Sequence, residues 1–162
     1  MSDIKAGDAA VPFCLPDGHE KSVCLEDLKG RWLVLYFYPK DQTPGCSLEA
    51  RDFTRQLGDF HGLGAEVIGV SPDSPKSHCD FIEKQNLKLI LLSDTKRDII
   101  RKYGVWKLKK QYGSEYFGVE RSTFLVDPRG IVAVVWRGVK VPGHVDAVMA
   151  ELKNRRAATI QR

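Results

Sequence analysis

The sequence predicts an α/β fold with a mixed central sheet flanked by helices, and three observations carry that expectation. Strand-like and helix-like stretches alternate through the middle of the chain, the pattern that sets helices against a largely parallel sheet. RWLVLYFY, residues 31–38, is a continuous apolar run rich in aromatic and β-branched residues, as a central strand buried on both faces requires. RSTFLVD (121–127) and IVAVVWRG (131–138) surround the turn Pro128-Arg129-Gly130, so an antiparallel pair closes the sheet before a last helix.

Taken in order, VPFCL and SVCLEDL flank PDGHEK, whose Asp17-Gly18 pair predicts a turn between two short strands. Pro39 ends the 31–38 strand. Leu48, Phe53, Leu57 and Phe60 recur at helical spacing from Pro44 to about His61. AEVIGVS (65–71) follows the Gly62-Leu63-Gly64 break as a strand. Ser74-Pro75 opens a helix to about Asn86, since serine is a good N-cap and proline suits the first helical position. KLILLS (88–93) is then a strand, TKRDIIRKYG (95–104) a helix closed by Gly104, and Val145 to Arg155 an amphipathic helix. The element order matches a thioredoxin-like core with an added N-terminal β-hairpin. One domain over residues 1–162 is expected, with about 155–162 as a flexible tail.

Composition narrows the function classes. Apolar residues make up 43% and charged residues 28%, ordinary for a globular protein, and no stretch approaches the roughly 20 apolar residues of a membrane span. MSDIKAGDAA lacks the apolar run of a secretory signal, so a cytoplasmic protein is expected. Lys and Arg number 25 against 21 Asp and Glu, and part of the excess lies in KLKKQ (107–111) and the tail. That mild surplus predicts a solvated surface rather than nucleic-acid binding. The four cysteines, Cys14, Cys24, Cys46 and Cys79, form no C-x-x-C and show no zinc-type spacing with histidine. In a reducing compartment permanent disulfides are disfavoured, which leaves buried thiols, reactive thiols or both.

Cys46 stands out. Thr43 is a plausible N-cap and Pro44 fits the first helical position, which makes Gly45 and Cys46 the second and third residues of a helix. In that first turn, unpaired backbone N–H groups and the positive end of the helix dipole favour a thiolate. Position alone leaves two readings open: a reactive thiolate, or a small buried thiol.

The flanking residues decide between them. Pro39-Lys40-Asp41-Gln42-Thr43-Pro44-Gly45-Cys46 has the P-x-x-x-T-x-x-C pattern of peroxiredoxins, and YFYPKDQTPGCSLEARDF resembles their bacterioferritin comigratory protein (PrxQ) branch. The resemblance continues through VIGVSPDSPKSHCDFIEK, LLSD, YGVW and RSTFLVDPRG, over nearly the entire chain. It implies a thiol peroxidase that reduces hydrogen peroxide and organic hydroperoxides and is recycled by a thioredoxin-like dithiol reductant, without metal, haem or flavin. It further implies Cys46 as the peroxidatic nucleophile, Thr43 as a hydrogen-bond donor to the peroxide, and Pro39 as a shield against water. Arg121 is the implied cation that holds the thiolate and the polarised oxygens. Members of this branch are often monomers, and a monomer is expected.

Many members of the branch carry a second cysteine five residues after the first, where this chain has Arg51. Others place it on the next helix, and by that resemblance Cys79 resolves the Cys46 sulfenic acid as an intramolecular disulfide. A packed Cys79 with an external thiol as resolver is the alternative, as is a non-enzymatic redox sensor or holdase. Cys14 and Cys24 are expected to be structural. Glu49 either holds Arg121 or is a solvated helix charge. His61, His78 and His144 are expected on the surface. Trp32, Trp106 and Trp136 are core or rim aromatics, with Trp106 a candidate for the substrate side.

Overall fold

The computed structural model describes residues 3–160. In chain order its elements are β1 (Cys14–Pro16), β2 (Ser22–Cys24), β3 (Trp32–Phe37), α1 (Pro44–Gly62), β4 (Ala65–Ser71), α2 (Pro75–Gln85), β5 (Ile90–Ser93), α3 (Asp98–Lys102), β6 (Trp106–Gln111), β7 (Ser114–Val119), β8 (Ser122–Val126), β9 (Val132–Arg137) and α4 (His144–Ile160). The central sheet has the order β5-β4-β3-β8-β9, in which β3, β4 and β5 run parallel and β8 runs antiparallel to both of its neighbours, β3 and β9. This is the expected α/β fold with a mixed sheet.

Every residue of β3 is buried, because alternate side chains enter two different cores. Trp32, Val34 and Tyr36 face α1, α2 and α4, where Phe53, Phe60, Phe81 and Leu152 fill the space. Leu33, Leu35 and Phe37 face α3 and the N-terminal segment, meeting Ile100, Tyr103, Phe13 and Leu25. Each fully buried side chain of this size contributes about 2–3 kcal/mol. β3 leads through the 38–43 segment into the start of α1, so the Cys46 loop is anchored on a strand buried along its whole length.

Several boundaries move for local reasons. The predicted second strand stops at Cys24, where the Asp27 carboxylate accepts from the Cys24 N–H at 3.2 Å and a 3₁₀ turn spans Leu25–Leu28. The predicted 95–104 helix shrinks to α3 because Arg97 takes a left-handed backbone (φ 63°) just before it. The hairpin β6–β7 was not predicted. Lysines at 107, 109 and 110 disguise its first strand as polar surface, and its turn is Tyr112-Gly113, both with positive φ (52° and 76°). α4 carries helix through the segment expected as a tail, as far as Ile160; residues 161 and 162 lie outside the described residues.

Cys14 and Cys24 face each other across the β1–β2 ladder and are joined by a disulfide with Cα atoms 4.1 Å apart. The expectation that permanent disulfides are disfavoured therefore fails for this pair. A ten-residue separation gave no hint of it, whereas the strand register puts the two side chains directly opposite.

Candidate active site

Cys46 is the third residue of α1, with Thr43 as N-cap (φ −85°, ψ 153°) and Pro44 at the first helical position. The Thr43 hydroxyl does not cap the helix. It donates instead to the Lys40 carbonyl at 2.9 Å, so it folds the approach loop and leaves the first-turn N–H groups without a side-chain acceptor. The Cys46 thiol is 2% exposed and packs with the aromatic core. It thus combines the burial of the structural reading with the field of the reactive one.

The cation comes from the far side of the sheet sequence. Arg121, at the entry to β8, places Nη2 3.4 Å from Cys46 Sγ and donates through Nη1 to Glu49 Oε1 at 2.7 Å. Gly45 leaves room for this approach, because a Cβ there would stand 3.1 Å from Nη2, tighter than ordinary contact. Glu49 lies one turn beyond Cys46 on the same helical face and is fully buried. Burial raises its pKa to about 7, against the lowering pull of Arg121. Among the described residues its second oxygen has no hydrogen-bond partner. Glu49 is therefore a holder of Arg121, not a solvated charge. Arg121 itself is half-buried; desolvation works against its charge, but the facing Cys46 and Glu49 leave its pKa raised.

Lys109 on β6 was missed by sequence reading. Burial, then the charge of Arg121, lowers its pKa, while Cys46 and Glu120 act the other way. The β6–β7 hairpin therefore brings a second cation into the field of the site. Trp106, at its base, stacks on Phe117 (6.4 Å between centroids) under the Arg97 guanidinium at 5.0 Å.

Pro39 is half-buried between β3 and the Lys40–Thr43 turn. Within that turn Asp41 is buried and Gln42 is left-handed (φ 66°). His78 is the main correction to the expected surface histidines: it is fully buried, with Nδ1 2.8 Å from Asp41 Oδ2 and Nε2 2.9 Å from the Leu92 carbonyl. A histidine without metal spacing or a local partner reads as surface, but a helix turns neighbouring side chains about 100° apart, so His78 is buried while Cys79 beside it is half-exposed. His144 is buried too, 2.8 Å from the Thr123 hydroxyl, and burial followed by the Arg121 charge lowers its pKa to about 4. His61 is exposed and pairs with Glu66 at 3.0 Å. Ligand atoms of Asp41, Asp73 and His78 lie within 4.8 Å of one another, but hydrogen bonds already engage each residue.

Cys79 is the fifth residue of α2 and is half-exposed. It lines a groove of about 570 Å³ beneath the β1–β2 turn, with Gly18, His19 and Glu20 opposite. The turn presses closely, since a Cβ on Gly18 would stand 3.2 Å from the Cys79 backbone nitrogen. Cys46 and Cys79 are both free thiols. Arg51, where a neighbouring thiol was absent, reaches from α1 to Gln85 at the end of α2 (2.9 Å).

A thioredoxin-type sheet with a buried helix-start cysteine facing an arginine defines a thiol-dependent peroxidase of the peroxiredoxin class. Residues 6–135 match the AhpC/TSA family, and the chain belongs to that family, in its Bcp/PrxQ branch. Peroxiredoxin Bcp of Bacillus subtilis is 48% identical over 151 residues, covering 93% of this chain and 96% of the relative, and that of Xanthomonas campestris is 46% identical over 151 residues, covering 93% of each. A cysteine variant of Xylella fastidiosa PrxQ superposes with a TM-score of 0.90 at 40% identity, covering 96% of this chain and 99% of that one. The Xanthomonas campestris bacterioferritin comigratory protein, described for its alkyl peroxide reduction activity, superposes at 0.86 with 43% identity over 92% of this chain and 99% of that one.

Proposed function

We propose that this peroxidase reduces hydrogen peroxide and small organic hydroperoxides at Cys46, in a single cytoplasmic domain that works as a monomer. The Cys46 thiolate attacks one peroxide oxygen, the O–O bond breaks, and the departing oxygen leaves as water or alcohol after taking a proton. Negative charge grows on that oxygen, and the groups that answer it are Arg121, the first-turn N–H groups of α1 and the Thr43 hydroxyl, which turns its hydrogen from the Lys40 carbonyl to the substrate. Pro39 keeps water from the thiolate. Cys79 then attacks the sulfenic sulfur, releasing water and forming a Cys46–Cys79 disulfide, which a thioredoxin-like dithiol protein reduces. A disulfide needs Cα atoms within about 7 Å; the two cysteines sit on different helices, and in this reading the first turns of one or both helices unwind to bring them together.

The single observation that carries the reading is the 3.4 Å contact of Arg121 Nη2 with Cys46 Sγ, braced by Glu49. The test is peptide mass spectrometry after one equivalent of peroxide. A Cys46–Cys79 linked peptide that disappears in Cys79→Ser is expected; an unchanged linkage pattern in that variant removes Cys79 from the cycle.

A further inference from the structure

We propose that Asp41 and His78 are positioning residues which latch the Cys46 loop to α2, and so set how the Cys46 sulfenic acid divides between disulfide formation and further oxidation. The inference rests on the reading of Cys79 as the resolving thiol.

Asp41 lies five residues before Cys46, and His78 immediately precedes Cys79. Their 2.8 Å contact joins the two segments that the proposed unwinding would part, the loop before Cys46 and the first turn of the helix that carries Cys79. Four elements converge on Asp41. The Tyr38 hydroxyl, just past β3, donates to Oδ1 at 2.6 Å. The Ser77 hydroxyl on α2 donates to Oδ2 at 2.8 Å, beside His78 Nδ1. The Asp41 N–H donates to Asp73 Oδ2 at 2.8 Å, and Asp73 is itself tied to Ser71 at the end of β4 by a 2.7 Å bond. His78 continues the chain to β5 through Leu92. A carbonyl can only accept, so Nε2 carries a hydrogen, and the Nδ1–Oδ2 contact holds one further proton between ring and carboxylate.

Tyr38, Asp41 and His78 are all at most 4% exposed, so each bond is made away from water, and losing one member strands the others. The loop they hold is under backbone strain at Gln42, whose left-handed φ of 66° persists only where its surroundings over-determine it. Latched, the loop holds Thr43 at the N-cap of the helix that carries Cys46. Unlatched, both helix starts are freed together. Resolution forms the Cys46–Cys79 S–S bond with loss of water; the competing reaction takes a second peroxide and yields the Cys46 sulfinic acid plus water or alcohol.

The test follows a single peroxide pulse by rapid quench and mass spectrometry in the wild type, His78→Gln and Tyr38→Phe. His78→Gln keeps a donor for Leu92 but loses the Asp41 contact; Tyr38→Phe removes the hydroxyl that meets Asp41 Oδ1 at 2.6 Å and His78 Nδ1 at 3.3 Å, leaves the Asp41–His78 contact itself, and covers the case in which the histidine variant fails to fold. The expected result for His78→Gln is disulfide formation about tenfold faster, a lower sulfinic fraction at high peroxide, and a slower first step, with Tyr38→Phe smaller in the same directions. Faster amide exchange over residues 39–46 and 75–82 is expected alongside. An unchanged disulfide-to-sulfinic ratio in the folded variants overturns the latch while leaving Cys79 as resolver. Absence of the Cys46–Cys79 disulfide in the wild type overturns both.

Discussion

The starts of α1 and α2 are written in the same punctuation and behave differently. Each has a hydroxyl residue at the N-cap, a proline at the first helical position and a cysteine shortly after. At α2 the Ser74 hydroxyl accepts from the Ser77 N–H at 3.1 Å and closes the helix end; at α1 the Thr43 hydroxyl turns to the Lys40 carbonyl. At α1 an arginine braced by a buried carboxylate stands over the sulfur. At α2 the cation in the groove, Lys76, is taken up by Asp80 at 3.1 Å. A reactive helix start is thus made by what the cap leaves undone and by what another element brings to it, not by the helix alone.

The largest expected effect removes that imported charge. Arg121→Gln lowers kcat/KM for peroxide by roughly 10²-fold, as loss of a donor to a developing oxyanion does, whereas Lys76→Gln leaves the first step unchanged; steady-state kinetics with a coupled dithiol reductant compares them. Equal losses in the two variants would erase the difference between the helix starts.

The next effect is on stability, and its sign differs between two buried groups around Arg121. Glu49 has a folded pKa of about 7 against an ordinary 4.5, so between those values the folded state keeps a proton that the unfolded chain releases, and stability is lost as pH rises. His144 has a folded pKa of about 4 against 6.5, so over that interval the unfolded chain takes up a proton the folded state refuses, and stability is lost as pH falls. Each contribution is on the order of 3 kcal/mol, and over the shared range they oppose one another. Glu49→Gln should therefore show stability rising from pH 4 to 6.5, and His144→Gln stability falling from pH 4.5 to 7, with the wild type flatter than either in urea unfolding.

The Cys14–Cys24 disulfide bears on the cover over Cys79 and not on the Cys46 pocket. Replacing both cysteines by serine should cost about 3 kcal/mol, the chain-entropy value for a loop of roughly ten residues, measured by denaturant unfolding, with the rate of Cys46 oxidation retained. The smallest effect separates the two caps directly. Ser74→Ala costs about 1 kcal/mol of stability with the peroxide step intact, while Thr43→Val costs little stability and slows that step.

Most of this was legible in the sequence because it is local. The β3 run, the Ser74-Pro75 start and the Thr43-Pro44-Gly45-Cys46 start are each written in adjacent residues, and each element stands where its residues predict. Arg121 was found only through a family resemblance, since nothing local to residue 121 says that β8 lies beside β3 and delivers a guanidinium to Cys46. The same limit hid the Cys14–Cys24 bond, a matter of strand register, and the burial of His78 and His144, whose partners lie 37 and 21 residues away. The β6–β7 hairpin was hidden by its own lysines.

The proposed peroxidase cycle requires Cys46 alone as the nucleophile. In Cys79→Ser, treated with one equivalent of hydrogen peroxide in the presence of a sulfenic-acid trap, intact-protein and peptide mass spectrometry should find the adduct on Cys46 at near-stoichiometric yield, and Cys46→Ser should give none. An adduct on another cysteine, or undiminished peroxide consumption by Cys46→Ser, would contradict it.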